Sequence, residues 1–333
     1  MTVIGPIVCF GEMLLRLSPT NPGDDLASTR SLAVHVAGAE ANVAISLASL
    51  GQPSRMVTIL PEGELGGRAQ AALETHGVET GGIVRREGRM GLFFLNSHVT
   101  GREGGIIYDR AQSAFAAASA EVVDLNAQLA GAAMLHVSGI TAALGDTPLA
   151  ILHSAMAAAR AAQVPISFDC NYRPALWRGR EHQAASILRK LAGQADWLFA
   201  SPWDLAQLTG SELAGDSFAK QFEAGSKAAF EQFPQIQSIA TTSRTVIAQD
   251  HHELSAHLAR RDTITHAPAR TIHPVIERIG SGDSFAAAIL YGALQGYDDE
   301  YLAKFALQAC VMKHAIPGDF STLNVKQIEA ALG

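Results

Sequence analysis

The stretch Glu277-Arg278-Ile279-Gly280-Ser281-Gly282-Asp283-Ser284-Phe285-Ala286-Ala287-Ala288-Ile289-Leu290 sets two glycines and an acid directly ahead of an apolar helical run. Two glycines let the backbone turn tightly, so that successive N–H groups converge on an anion. The helix that follows adds its positive N-terminal end, where phosphate is favoured. Because that helix is apolar nearly all round, its start is expected to be held rigidly inside the protein. Two roles are open to Asp283. It is either an ordinary acid of a first helical turn, or the base that accepts a proton from a hydroxyl attacking a phosphoryl group.

Other nucleotide motifs fail on this sequence. No Gly-Lys dipeptide occurs, so there is no Walker A loop, and the third glycine of a dinucleotide fingerprint is replaced by Phe285. A zinc-protease helix starting at His252-Glu253 would need histidine at 256, which is Ala256, and His257 falls one residue too late. That segment reads as a strand, with its histidines on a surface edge.

Outward from the turn, short apolar runs alternate with amphipathic segments. Strands are expected at 7–10, 55–60, 134–137, 166–169, 197–200 and 238–242. Helices are expected at 39–50, 64–76 and 147–162, and others begin at 283, 298 and 325. Strands separated by helices imply parallel crossovers and a layered α/β/α sheet. The stretches 13–36 and 91–112 break the rhythm: they carry alternation without helix signals, and 91–95 and 106–110 look like paired strands. They form either a small β lid over one sheet edge or two long surface loops. No repeat or linker divides the 333 residues, so one domain with a lid is the expected organisation.

Composition narrows the function. With 48% hydrophobic and 17% charged residues the chain reads as a soluble globular protein with a large core. The net charge of −7 without a basic stripe argues against nucleic acid. An anionic ligand must therefore be held by a few focal arginines. Cys9, Cys170 and Cys310 have no paired spacing, which fits a reducing cytoplasm rather than disulfides or zinc. Thr2-Val3-Ile4-Gly5-Pro6 lacks a basic leader and no apolar run approaches the ~20 residues of a span, so no membrane role is expected.

Three motifs in order give the chain a resemblance. Gly11-Glu12 follows the first strand, Gly38-Ala39-Glu40-Ala41-Asn42 opens the first long helix, and Gly280 to Asp283 opens a late one. Across essentially its whole length the chain resembles the ribokinase-like (PfkB) carbohydrate kinases. Within them it is most similar to 2-keto-3-deoxygluconate kinases, through Phe10-Gly11-Glu12-Met13-Leu14-Leu15-Arg16, Tyr108-Asp109-Arg110, Phe168-Asp169-Cys170-Asn171-Tyr172-Arg173-Pro174 and Lys313-His314-Ala315-Ile316-Pro317-Gly318-Asp319. The resemblance implies a three-layer α/β/α sandwich with a mainly parallel sheet and a β lid that often mediates dimerisation. It also implies ATP and Mg²⁺, and transfer of a phosphoryl group to the 6-hydroxyl of 2-keto-3-deoxy-D-gluconate. Kinases for fructose or 5-dehydro-2-deoxygluconate are the nearest alternatives, and a non-catalytic sugar- or nucleotide-binding regulator is a different class.

The same resemblance distributes roles. Asp283 is the base; Gly280, Ser281 and Gly282 form the anion hole, with Thr242 and Arg244 toward the ATP phosphates. Gly38, Asn42, Phe93 and Tyr108 face the sugar. Arg110 and Arg173 suit a carboxylate, since a guanidinium offers parallel donors. Left to the residues alone, Arg173 could equally pair with Asp169, Arg110 could be a solvated lid charge, and Arg244 could equally be an exposed strand-end charge. Departures from the family pattern are Ala37 where a second glycine is common, Ser201-Pro202-Trp203-Asp204 where Asn-x-x-Glu orders magnesium-bound water, and Glu277 where Asp is common. These leave Asp204 as the candidate for water-mediated metal contact and a monovalent-cation site open.

Overall fold

The structure, a computed structural model, describes residues 5–21, 24–96 and 105–332. The leader reading at Thr2 to Ile4 and positions 97–104 of the lid stretch lie outside the described residues. Thirteen strands are described: β1 (Ile7–Phe10), β2 (Leu14–Pro19), β3 (Leu32–Ala37), β4 (Ser54–Pro61), β5 (Glu79–Arg86), β6 (Gly91–Leu95), β7 (Ile106–Asp109), β8 (Met134–Ser138), β9 (Ile166–Asp169), β10 (Trp197–Phe199), β11 (Ser238–Ala248), β12 (His251–Ala259) and β13 (Ile264–Ile272).

The large sheet has the order β13-β12-β11-β10-β9-β8-β1-β4-β5, parallel from β11 through β5, with β11, β12 and β13 an antiparallel meander. The central strand β1 is apolar on both faces because both faces are covered. Ile7 and Cys9 of β1 enter one core, with helices Ala39–Ser49, Ser281–Leu294 and Asp299–Lys313. Val8 and Phe10 enter the other, with helices Asp146–Ala161, Glu181–Ala192 and Phe218–Gln232. A parallel sheet sandwiched this way loses the in–out alternation of a one-sided sheet. Cys9, Cys170 and Cys310 are buried and free, and no described helix is long and apolar enough to cross a membrane.

A second sheet, β3-β2-β6-β7, is built from the two stretches that broke the sequence rhythm. Leu14, Ala37 and Phe93 form its own small apolar cluster, with Tyr108 packed against it.

One expectation is overturned. His252 and His257 do lie on a strand, β12, but they are 2% and 5% exposed rather than on a surface edge. The reason is β13, which continues the sheet beyond β12, and Phe218 and Phe222, which pack on the His257 ring. Strand β11 also runs six residues past the expected 242, to Ala248, because β12 pairs with it along most of that length.

Candidate active site

β1 neighbours both β4 and β8, so the chain leaves it in two directions, and open α/β sheets place ligands at the carboxyl ends of strands around such a point. A cleft of about 1510 Å³ lies there, between the strand ends and the second sheet. Every candidate of the sequence reading lines it: Gly38, Asn42, Phe93, Tyr108, Arg110, Arg173, Asp204, Thr242, Arg244 and the Gly280–Asp283 turn.

The turn is shaped by what surrounds each glycine. Gly280 has φ 78°, and a Cβ there would collide with the carbonyl oxygen of Asp319, so backbone conformation and close approach both demand glycine. Gly282 has nothing within 4 Å of where a Cβ would stand; it faces the open cleft. The Ser281 hydroxyl donates to the Arg278 carbonyl at 2.9 Å and Ser284 N to the Gly280 carbonyl at 2.9 Å. The amides of Gly282 and Asp283 have no backbone acceptor among the described residues, leaving two donors at a helix N-terminus. Helix residues 284–290 are buried, so these donors are rigidly held.

Beneath the turn lies a buried charge network. Glu277 Oε1 accepts from the amides of Arg278 and Ile279 at 3.0 and 3.2 Å, while its Oε2 takes Arg16 Nη1 at 2.7 Å. Arg16 Nε also stands 3.1 Å from Asp319 Oδ2, an ion-pair distance without hydrogen-bond alignment. Lys313, fully buried, donates to the carbonyls of Ile316 and Gly318 at 3.0 and 2.8 Å. Asp319 is pushed up to about 7 by burial, against the pull of Arg16. Arg16 and Lys313 stand in runs that carry the resemblance, yet the sequence gives them no role: Arg16 finds its partner Glu277 261 positions away, and Lys313 spends its ammonium on the nearby carbonyls of Ile316 and Gly318.

Asp283 does not cap its helix; its Oδ2 accepts from Asn42 Nδ2 at 2.6 Å. Burial raises its carboxyl to about 6, opposed by that hydrogen bond and by Arg173 and Lys313. A base near neutrality is what proton abstraction from a hydroxyl needs. Asn42 was expected to face the sugar, and its Oδ1, buried and without a partner, leaves an acceptor in the cleft wall.

The Gly11-Glu12 and Gly38-Ala39-Glu40 motifs interlock. A Cβ at Gly11 would collide with the Glu40 carboxylate, whose Oε1 accepts from Ser138 Oγ at 2.6 Å. Burial lifts Glu40 to about 7. Glu12 accepts from Arg110 Nε at 2.6 Å and from Ser113 Oγ. Arg110 is thus a buried, ion-paired residue just past β7, not a solvated charge. Arg173 is exposed in the cleft, makes no ion pair with Asp169, and donates only weakly to the Tyr172 carbonyl at 3.3 Å. Its field nonetheless lowers the carboxyls of Asp283, Asp169 and Asp204. Desolvation still dominates at Asp169, raised to about 8.

Asp204 is the third residue of helix Pro202–Thr209 and completes a capping box, its Oδ2 accepting from Ser201 N and Oγ at 2.8 and 2.6 Å. No group of three or more His, Cys, Asp or Glu among the described residues is arranged to hold a metal ion.

A turn with free amides, a raised carboxyl beside it and a cleft between two sheets define a phosphoryl-transfer enzyme. The sequence profile of the pfkB family carbohydrate kinases matches residues 6–313, and the chain belongs to that family. It has the ribokinase-like fold: the crystal structure of a 2-dehydro-3-deoxygluconokinase from Thermotoga maritima superposes with a TM-score of 0.92 at 34% identity, covering 98% of this chain and 99% of that one. A 2-dehydro-3-deoxygalactonokinase from Haloferax volcanii is 28% identical over 98% of this chain and 96% of its own. A 5-dehydro-2-deoxygluconokinase from Shouchella clausii is 26% identical over 96% and 93%.

Proposed function

We propose that the protein transfers the γ-phosphoryl of ATP to the 6-hydroxyl of 2-keto-3-deoxy-D-gluconate, giving 2-keto-3-deoxy-6-phosphogluconate and ADP. The observation that carries the acidic substrate is Arg173: an arginine exposed in the cleft without a carboxylate partner, among Asp169, Asp204 and Asp283. A substrate carboxylate supplies the partner that Arg173 lacks and matches its paired donors. Arg110, held by Glu12, lines the same cleft. The names of the relatives include kinases of acidic deoxy sugars, 5-dehydro-2-deoxygluconate among them, and also fructokinases, whose sugar is neutral.

In this reading Asp283 accepts the hydroxyl proton as the sugar oxygen bonds to the γ-phosphorus and the bond to the β-phosphate oxygen breaks. The Gly282 and Asp283 amides and the helix N-terminus stabilise charge on the transferring group. Asp204, beside its capping role, is the acid we assign to the water shell of a nucleotide-bound Mg²⁺, which when present would supply neutralisation of phosphate charge. Glu277 is committed to Arg16 and the turn amides, so we assign no monovalent-cation ligand to its side chain. The second sheet serves as the lid of a single kinase domain and, with Leu32, Ile106 and Ile107 exposed on its strands, as a homodimer surface, which sedimentation would test.

The deciding experiment is a coupled ADP-release assay over a panel of sugars. Preference for 2-keto-3-deoxygluconate, lost mainly through its KM in Arg173→Ala with the ATP KM unchanged, supports the proposal. Equal turnover of fructose would overturn the acidic-substrate reading and leave a carbohydrate kinase. Unchanged turnover in Asp283→Asn would remove the assigned base.

A further inference from the structure

Arg278 was quoted as part of the turn but given no role by the sequence or by the mechanism above. Its backbone is fixed on both sides: the amide donates to Glu277 Oε1, and the carbonyl accepts from Ser281 Oγ. Its side chain is half-buried and lines the cleft, which the exposed Arg244 of strand β11 lines as well. No carboxylate closes an ion pair with either guanidinium among the described residues. The adjacent Glu277 is turned to Arg16 instead.

Both arginines line one cleft, and their charges bear on a shared neighbour, His252. Burial chiefly, and Arg278 after it, lowers Arg244; burial chiefly, and both arginines after it, lower His252, whose buried Nδ1 has no hydrogen-bond partner among the described residues. His314, also lining the cleft, feels Arg244 as well. Asp250 is the acid within reach of His252, and it stands 3.7 Å from His273. Glu277 and Asp250 line the same cleft, and Glu277 acts on Arg278 from the adjacent position, but neither acid closes an ion pair with either guanidinium, which leaves both open to an anion of multiple charge. In the same cleft lining are Gly282 and Asp283, whose amides have no backbone acceptor among the described residues.

We infer that Arg278 joins Arg244 in a two-guanidinium clamp on the β- and γ-phosphates of the nucleotide, so that the phosphate grip of this enzyme is shared between the glycine turn and a pair of arginines. The inference rests on the reading of the chain as an ATP-dependent kinase. Phosphate oxygens accept parallel donors from a guanidinium, and Lys offers only a point charge. Arg278 is fixed at the root of the turn, so the clamp and the anion hole move as one piece.

The test is calorimetric titration of the whole protein with Mg·ATP and, separately, with AMP, without sugar, so that substrate identity does not enter. Wild type should bind ATP more tightly than AMP. Arg278→Gln should weaken ATP roughly 10- to 100-fold, as loss of a charge-assisted contact does, and leave AMP unchanged. Arg278→Lys should recover only part. Arg244→Gln should behave likewise, and the double variant should lose less than the product of the two, because both act on the same phosphates. An unchanged melting temperature together with an unchanged ATP-over-AMP ratio in Arg278→Gln overturns the clamp while leaving the kinase reading standing. A parallel loss of ATP and AMP overturns it in favour of a structural role. No ATP-over-AMP preference in wild type overturns the clamp and the nucleotide reading together.

Discussion

Asn42 Nδ2 donates to Asp283 Oδ2 at 2.6 Å, joining residues 241 positions apart near the starts of two buried helices. The bond does two things to the base. It engages Oδ2 and leaves Oδ1 outside that bond, and it favours the ionised form, partly cancelling the desolvation that raises the carboxyl to about 6.

A pH dependence follows. Asp283 works only when ionised, so kcat/KM should fall as pH drops through about 6. Asn42→Ala removes an influence that lowers the carboxyl, so its acid limb should move to higher pH. Asp283→Asn should lose about 10²- to 10⁴-fold in turnover. A pH–rate profile with the limb of Asn42→Ala at its wild-type position would show that the hydrogen bond does not tune the base.

The two glycines of the turn should separate stability from catalysis. Gly280→Ala meets a left-handed φ and the Asp319 carbonyl, so it should destabilise by about 1–3 kcal/mol or more in urea unfolding. Gly282→Ala meets empty space inside the first helical turn, where alanine is favoured by up to about 1 kcal/mol. It should fold at least as well as wild type, yet its methyl group stands where phosphate approaches. A raised ATP KM or lowered kcat without loss of stability is the expected signature; normal kinetics in Gly282→Ala would place the phosphate elsewhere.

How far the sequence shows this site depends on the range of the interaction. The glycine turn, the strand–helix rhythm and the motif order are local, and they carried the family resemblance that the profile match bears out. The partners of Glu12, Arg16 and Asn42 are not local. Arg110 is 98 positions from Glu12, and Glu277 is 261 from Arg16. No periodicity encodes such pairings. The buried histidines are hidden in the sequence for a related reason: the polar residues of β12 look like an edge, and only the pairing of β13 along it covers that side.

Glu12 provides a test of the second sheet's attachment. Its carboxylate holds Arg110 and Ser113, and it is packed so closely that a Cβ at Gly91 would come within 2.6 Å of Oε1. Glu12→Ala leaves a buried guanidinium unpaired, which costs about 3–5 kcal/mol. Glu12→Gln keeps an acceptor for Arg110 and should cost less, while loosening the arginine's aim and raising the sugar KM with little change in the ATP KM. Equal urea midpoints for wild type and Glu12→Ala would show that the pair contributes nothing to holding the sheet.

Asp169 offers a stability test with a defined sign. At the end of β9 its carboxyl is raised to about 8, chiefly by desolvation and next by Asp283, against an unfolded value of about 3.9. Between those values the folded state holds more protons than the unfolded one. The stabilisation is therefore fully present below about 4 and is lost as pH rises through about 8. Asp169→Asn is nearly isosteric and retains an acceptor for the Asn171 amide, now 3.0 Å from Oδ1. It cannot ionise, so its melting temperature relative to wild type should climb from pH 5 to pH 8.5. A difference that stays constant over that range would mean that Asp169 ionises in the folded protein as it does in the unfolded chain, and would remove it as a source of the pH-dependent strain beside Asp283.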